Sequence, residues 1–261
     1  MRIPISTARG AGTTVPELLI TVSIFSLLLI LLFLVFSKGM EAVQASNARH
    51  QAQISLNKAH PWLSRDLPQA DPGQIQHKRV ASPSGNGDAV WFLSAEDPTE
   101  SDPDLRFRRS GETGAPIYQT QILYYLIRPV NYSDVADGLT ASIDPNPNND
   151  FFAPHKFLIR KVIDTPSDPE TLLSPSDIDA YITPPVDYSL SPFNTEANVL
   201  DYKLVSDKML SFEVESDGTV VSVRASALRI DEARREIPVG TVSLEEHPLT
   251  VFREMAYKLK N

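Results

Sequence analysis

From Leu18 to Phe36 the chain runs nineteen residues without a charge, interrupted only by Thr21, Ser23 and Ser26. A helix rises about 1.5 Å per residue, so a run of this length matches the apolar thickness of a bilayer. The sequence therefore predicts one membrane-spanning helix over about residues 15–36, and any fold must be built around that tether. A secretory signal peptide has an apolar core of about 7–15 residues and then a small-residue cleavage site. Here the run is longer, and Val43-Gln44-Ala45 is the one such site that follows it. A plain uncleaved anchor accounts for the length, for the flanking Arg2 and Arg9, and for Glu17, because a carboxylate in the first turn of a helix is favoured by the helix dipole.

The order of residues before the span carries more. A short basic leader ends in Gly12, Thr13 and three further residues lead to Glu17, and Pro16-Glu17-Leu18-Leu19 opens the apolar run. This string resembles the prepilin cleavage motif of type IV pilins and of the pseudopilins of type II secretion. The resemblance implies cleavage by a prepilin peptidase between Gly12 and Thr13, a new N-terminus at Thr13, and Glu17 as the fifth mature residue. The family usually has phenylalanine or methionine at the first mature position, where this chain has Thr13. Pro16 suits the start of a helix, where a missing N–H costs nothing. An ionisable residue at the edge of hydrocarbon is a functional hypothesis by default. In the family the carboxylate is thought to meet the freed amine of a neighbouring subunit, which would make Glu17 an assembly residue.

After Phe36, Ala45, Ala48, Ala52, Leu56, Ala59, Leu63 and Leu67 recur at steps of three and four and mark one face of an amphipathic helix. The small alanines suit close approach to a sheet or a second helix. Pro61 is expected to kink this helix, leaving Trp62 to Leu67 as a separate last turn or two. The segment Arg65-Asp66-Leu67-Pro68-Gln69-Ala70 is similar to the end of the corresponding helix in J-type minor pseudopilins. In that group a tyrosine-rich strand is followed by a strand ending in arginine, and Tyr124, Tyr125 and Arg160 resemble this loosely. The prepilin-type proteins known as Verru_Chthon cassette protein C share this layout.

Beyond Pro68 the texture changes to short β-like runs. Ser82 to Gly87 is a turn signal, followed by strands at 89–93, 122–128 and 157–163. Residues 209–225 form a hairpin pattern with Asp217-Gly218 as its two-residue turn; Leu210, Phe212 and Val214 alternate with polar residues, so one face is buried and the other wet. Sequential strands without helices between them predict an antiparallel sheet. Residues 134–154 and 164–195 are loops by composition, expected as surface insertions or partner-facing segments. In the tail, Val251, Met255 and Leu259 fit a helix or a last edge strand equally.

The predicted fold class is thus α+β and pilin-like. A leader at residues 1–12 precedes a long N-terminal helix at 13–67, which continues into a domain at 68–261 and packs there on an antiparallel β-sheet. The net charge of −9 argues against binding a nucleic-acid backbone. The absence of cysteine excludes disulfides, thiol nucleophiles and thiolate metal sites. Asp144 to Asp150 is rich in cation-binding oxygens, but it lacks the glycine and terminal glutamate of an EF-hand and is read as a solvated turn. The five histidines, His50, His60, His77, His155 and His247, have no metal-ligand spacing.

No hydrolase, phosphate-loop or metalloprotease motif is present. No catalytic residue, cofactor or metal is therefore expected. The resemblance implies other minor pilins or pseudopilins, the prepilin peptidase and an inner-membrane assembly platform as partners. By the positive-inside tendency, Arg2 and Arg9 stay cytoplasmic and the large domain becomes periplasmic. The rival expectation is a singly anchored periplasmic enzyme or ligand-binding domain whose Glu17 is coincidental.

Overall fold

The computed structural model describes residues 14–71, 73–80, 87–97, 99–100, 107–131, 155–167, 170–230 and 247–259. Helix α1 spans Val15–Asp66, and a 3-10 turn follows at Leu67–Gln69. Among the described residues seven strands come after it: β1 Ile75–Arg79, β2 Asp88–Ser94, β3 Thr120–Ile127, β4 Lys156–Ile163, β5 Val199–Ser216, β6 Val220–Ala227 and β7 Val251–Lys258. The chain divides into two compact units, one up to Ser46 and one from Asn47 onward.

In the first unit the helix is long and apolar enough to cross a membrane, and its most apolar stretch is not buried against any other part of the chain. That distinguishes it from the core helix of a soluble domain. The hydroxyls of Thr21, Ser23 and Ser26 donate to the carbonyls of Glu17, Leu19 and Val22, each at 2.8 Å, so the three polar residues of the span are satisfied within the helix.

The second unit is α+β, as the sequence predicts. Its seven strands form one antiparallel sheet in simple sequence order, β1 to β7. The alanine stripe is the face that packs on it: Ala48, Ala52, Leu56, Ala59, Leu63 and Leu67 are all buried. From Ala52 onward they share one core with Val90 and Phe92 of β2, Ile122, Tyr124 and Leu126 of β3, and the inward residues of β5 and β6. Ala59 and Leu63 have no exposed surface at all, so a change of volume at either place is felt by the sheet. Helix α1 continues through the exposed Pro61 to Asp66, which corrects the expected separate last turn. Leu63 and Asp66 are both anchored beyond the proline, and this burial offsets the one lost hydrogen bond.

Strands β2, β3 and β4 are buried along their whole length, on both faces. The second face carries Trp91, Leu123, Tyr125, Phe157, Ile159 and Ile163, and the chain between β4 and β5 covers it with Ile178, Leu190 and Phe193. The stretch expected as a surface insertion is therefore the third layer of the domain, almost without regular structure apart from 3-10 turns at Ile178–Tyr181 and Ser191–Thr195.

The 209–225 hairpin is present, but its turn is shifted by one residue. The Asp217 amide donates to the Val220 carbonyl, so Gly218 and Thr219 are the central pair. Gly218 has φ +85°, the requirement of a type II′ turn at its first central position. Asp217 holds the turn from outside by accepting the Thr219 and Val220 amides at 2.8 and 2.7 Å. The tail is an edge strand, β7, paired along its length with β6. Residues 134–154 with the Asp144–Asp150 turn, and the Ser82–Gly87 signal up to residue 86, lie outside the described residues.

Candidate functional site

Of the residues tied to processing, Gly12 and Thr13 lie outside the described residues. Glu17 is in the first turn of α1, where its Oε2 accepts the Thr14 amide at 2.9 Å. Thr14 and Glu17 stand three apart, the T-x-x-E arrangement of a capping box, so the carboxylate satisfies one of the amides that a helix start leaves open.

A dense polar cluster lies at the other end of α1. Arg160, in the middle of β4, is fully enclosed with 1% of its side chain exposed. Its Nε donates to Asp66 Oδ2 at 2.7 Å and its Nη2 to Glu96 Oε2 at 2.7 Å, while Nη1 reaches Asp201 of β5 at 3.3 Å. The Tyr124 hydroxyl donates to the same Asp66 Oδ2 at 2.5 Å. Arg65 closes the ring from outside, donating to Asp66 Oδ1 at 2.6 Å and to Glu96 Oε2 at 3.4 Å. Trp62 roofs the cluster, with the Arg65 and Lys203 cations 4.6 and 4.7 Å from its ring and Arg160 at 5.5 Å.

Burial alone would depress the Arg160 guanidinium, but Asp66, with Tyr124 and Glu96 beside it, holds its pKa above the ordinary arginine value. Burial, with the Asp66 charge adding to it, keeps the Tyr124 hydroxyl protonated well beyond the usual phenol range. The cluster ties the last residue of α1 to the centre of the sheet. An arginine fork fixed by two buried carboxylates is geometrically specific, and loss of either side leaves an uncompensated buried charge. Residues singled out separately in the sequence, Asp66, Tyr124 and Arg160, are brought together here. Glu96 and Asp201 were missed, although a cation in the middle of the run Phe157-Leu-Ile-Arg-Lys-Val-Ile163 demands buried acids somewhere in the fold.

The opposite face of β4 holds a second, smaller cluster. Lys161 Nζ donates to Glu196 Oε2 at 2.5 Å, to Thr183 Oγ1 at 2.9 Å and to the Tyr181 carbonyl at 2.8 Å. The Thr183 hydroxyl in turn donates to Glu196 Oε1. The Phe193 ring lies 3.9 Å from Nζ. Burial pushes the Lys161 amine down to about 8. Neighbouring pegs fix the same covering layer: Tyr125 donates to the Thr183 carbonyl, Trp91 to the Leu173 carbonyl, and Gln121 to Glu170.

Among the described residues, no group of three or more histidines, aspartates or glutamates is placed to hold a metal ion. His60 faces the Tyr257 hydroxyl, His155 accepts the Ile230 amide and His247 the Leu249 amide. A polar cleft of about 320 Å³ lies between Asp97, Arg108, Tyr118 and Glu170. Two of its carboxylates are already engaged, Asp97 with Thr99 and Glu170 with Thr165 and Gln121. No family model, curated protein or solved structure matches this chain.

Proposed function

We propose that the chain is a minor pilin or pseudopilin, a structural subunit of a type II secretion pseudopilus or a type IV pilus-like assembly, and not an enzyme. The observation that carries this reading is the coincidence of Gly12, Glu17 and an apolar span at the start of a helix whose later half is the packing face of an antiparallel sheet. The buried cluster supports it, because a subunit held through its N-terminal helix needs that helix fastened to its domain, and Asp66 is fastened to Arg160. In this reading prepilin peptidase cuts between Gly12 and Thr13, the span sits in the inner membrane, the domain is periplasmic, and Glu17 meets a neighbouring subunit. Other minor subunits and the assembly platform are the partners.

A second reading, a plain anchored domain, is favoured by one observation: the capping box explains Glu17 with no partner at all. Glutamine also serves as the second member of a capping box, whereas alanine does not. Glu17→Gln therefore keeps the cap and removes the charge. Co-purification of chemically crosslinked partner subunits with each variant tests the proposal. Both Glu17→Gln and Glu17→Ala are expected to insert in the membrane and to lose incorporation. Normal incorporation of Glu17→Gln would reduce the residue to a helix cap.

A further inference from the structure

The geometry points to an intramolecular amide bond between Lys161 Nζ and Glu196 Cδ, a self-made cross-link in a chain that has no cysteine. Four observations converge on this pair. The lysine side chain has no exposed surface, while Glu196 keeps 17%, enough to release a water molecule. The amine is 2.5 Å from Oε2, so the carboxyl carbon is one bond further on. The Phe193 ring covers the amine at 3.9 Å and the Tyr125 ring lies at 5.5 Å, which removes bulk water from the amine. Thr183 touches both reactants, accepting from Nζ and donating to Oε1.

The chemistry balances without a co-reactant. In an enclosed site an ammonium and a carboxylate are each costly, and transfer of one proton from Nζ to Oε2 makes both neutral. Burial already lowers the amine to about 8, in the direction of this transfer. The nitrogen lone pair then attacks Cδ, and negative charge grows on Oε1, where the Thr183 hydroxyl donates. The Cδ–Oε2 bond breaks, and Oε2 leaves as water with the second proton from the nitrogen. An ammonium and a carboxylate thus become one amide and one water. The proximity of the two groups replaces an encounter between separate molecules.

The product would join β4 to the end of the covering layer, 35 positions later in the chain. That segment has little regular structure, so closing it covalently removes much of the freedom it has when unfolded, as a disulfide does. The bond also meets the remaining polar groups: the amide N–H faces the Tyr181 carbonyl and the amide oxygen faces Thr183.

Trypsin digestion of the denatured full-length chain, purified in detergent, tests this directly. Trypsin cuts after free lysine, and the sequence has neither lysine nor arginine between Lys161 and Lys203. A linked chain yields a single peptide, Lys161–Lys203, lighter by one water. Glu196→Ala is expected to restore cleavage after Lys161 and to give Val162–Lys203 at its full mass. Recovery of wild-type material solely as Val162–Lys203 at full mass overturns the bond.

Discussion

Arg160 and Lys161 are consecutive residues of one strand, both enclosed, yet the two faces of the sheet treat them in opposite ways. Arg160 faces α1 and meets Asp66 and Glu96, which outweigh its desolvation and hold its proton more firmly. Lys161 faces the covering layer and meets one carboxylate, Glu196, and there burial wins and the amine falls to about 8. The difference follows the number of acids that the fold brings to each cation, two to Arg160 on one face and one to Lys161 on the other. It also divides labour between the faces. One fastens the helix to the sheet by charge, and the other fastens an irregular layer by hydrogen bonds and, on the inference above, by a covalent bond.

Breaking the charged face is expected to have the largest effect. Arg160→Met leaves the buried Asp66 and Glu96 with only Arg65, at the rim, as a cation, and a loss of about 3–5 kcal/mol is expected by urea denaturation followed through Trp62 and Trp91 fluorescence. Adding Asp66→Asn and Glu96→Gln to that variant should recover most of the loss. If the single variant costs less than about 1 kcal/mol, the cluster is not the fastening it is described as.

Two neighbouring tyrosines offer a finer contrast. Tyr124 donates to a buried carboxylate, whereas Tyr125 donates to a backbone carbonyl. Tyr124→Phe should therefore cost about 1.5–3 kcal/mol and Tyr125→Phe about 0.5–1.5 kcal/mol. Equal losses would remove the distinction between the two faces.

The smallest expected effect is an absence. A free Lys161 at about 8 in the folded chain has an ordinary value of 10.5 when unfolded. Between those limits the unfolded chain holds the extra proton, so stability would rise with pH across the window, by up to about 3 kcal/mol. A linked Lys161 does not titrate. Wild type and Lys161→Met should then show the same pH dependence from 8 upward, and a rise confined to wild type would mean that the amine is free.

Most of the helix face was legible in the sequence, because alanines and leucines at steps of three and four on a helix have one reading. The strands β2, β3 and β4 were legible as apolar runs, but not the reason for their continuity. A strand buried on both faces needs a second covering layer, and here a Pro-, Asp- and Ser-rich stretch supplies it with a few apolar residues such as Ile178 and Phe193. Strand β1 was not legible, since Ile75-Gln-His-Lys-Arg79 is polar and lies at an edge. The first half of β5 was hidden as well. Register shifts in its pairing with β4, and a positive φ of 58° at Lys208, break the alternation that a period-two reading looks for. In the tail, a spacing of four between Val251 and Met255 is one helical turn and also two strand repeats; pairing with β6 decides it. The partners of Arg160 come from α1, from the chain just after β2 and from β5, and no local pattern joins segments so far apart.

The claim from which the rest follows is that the span of α1 belongs to a processed prepilin-type subunit. The N-terminus of the membrane-extracted protein, determined by mass spectrometry, tests it most directly. The account predicts a chain that begins at Thr13 with Glu17 as its fifth residue. A chain that still begins at Met1, or one that begins near Ser46 after loss of the whole span, would contradict it.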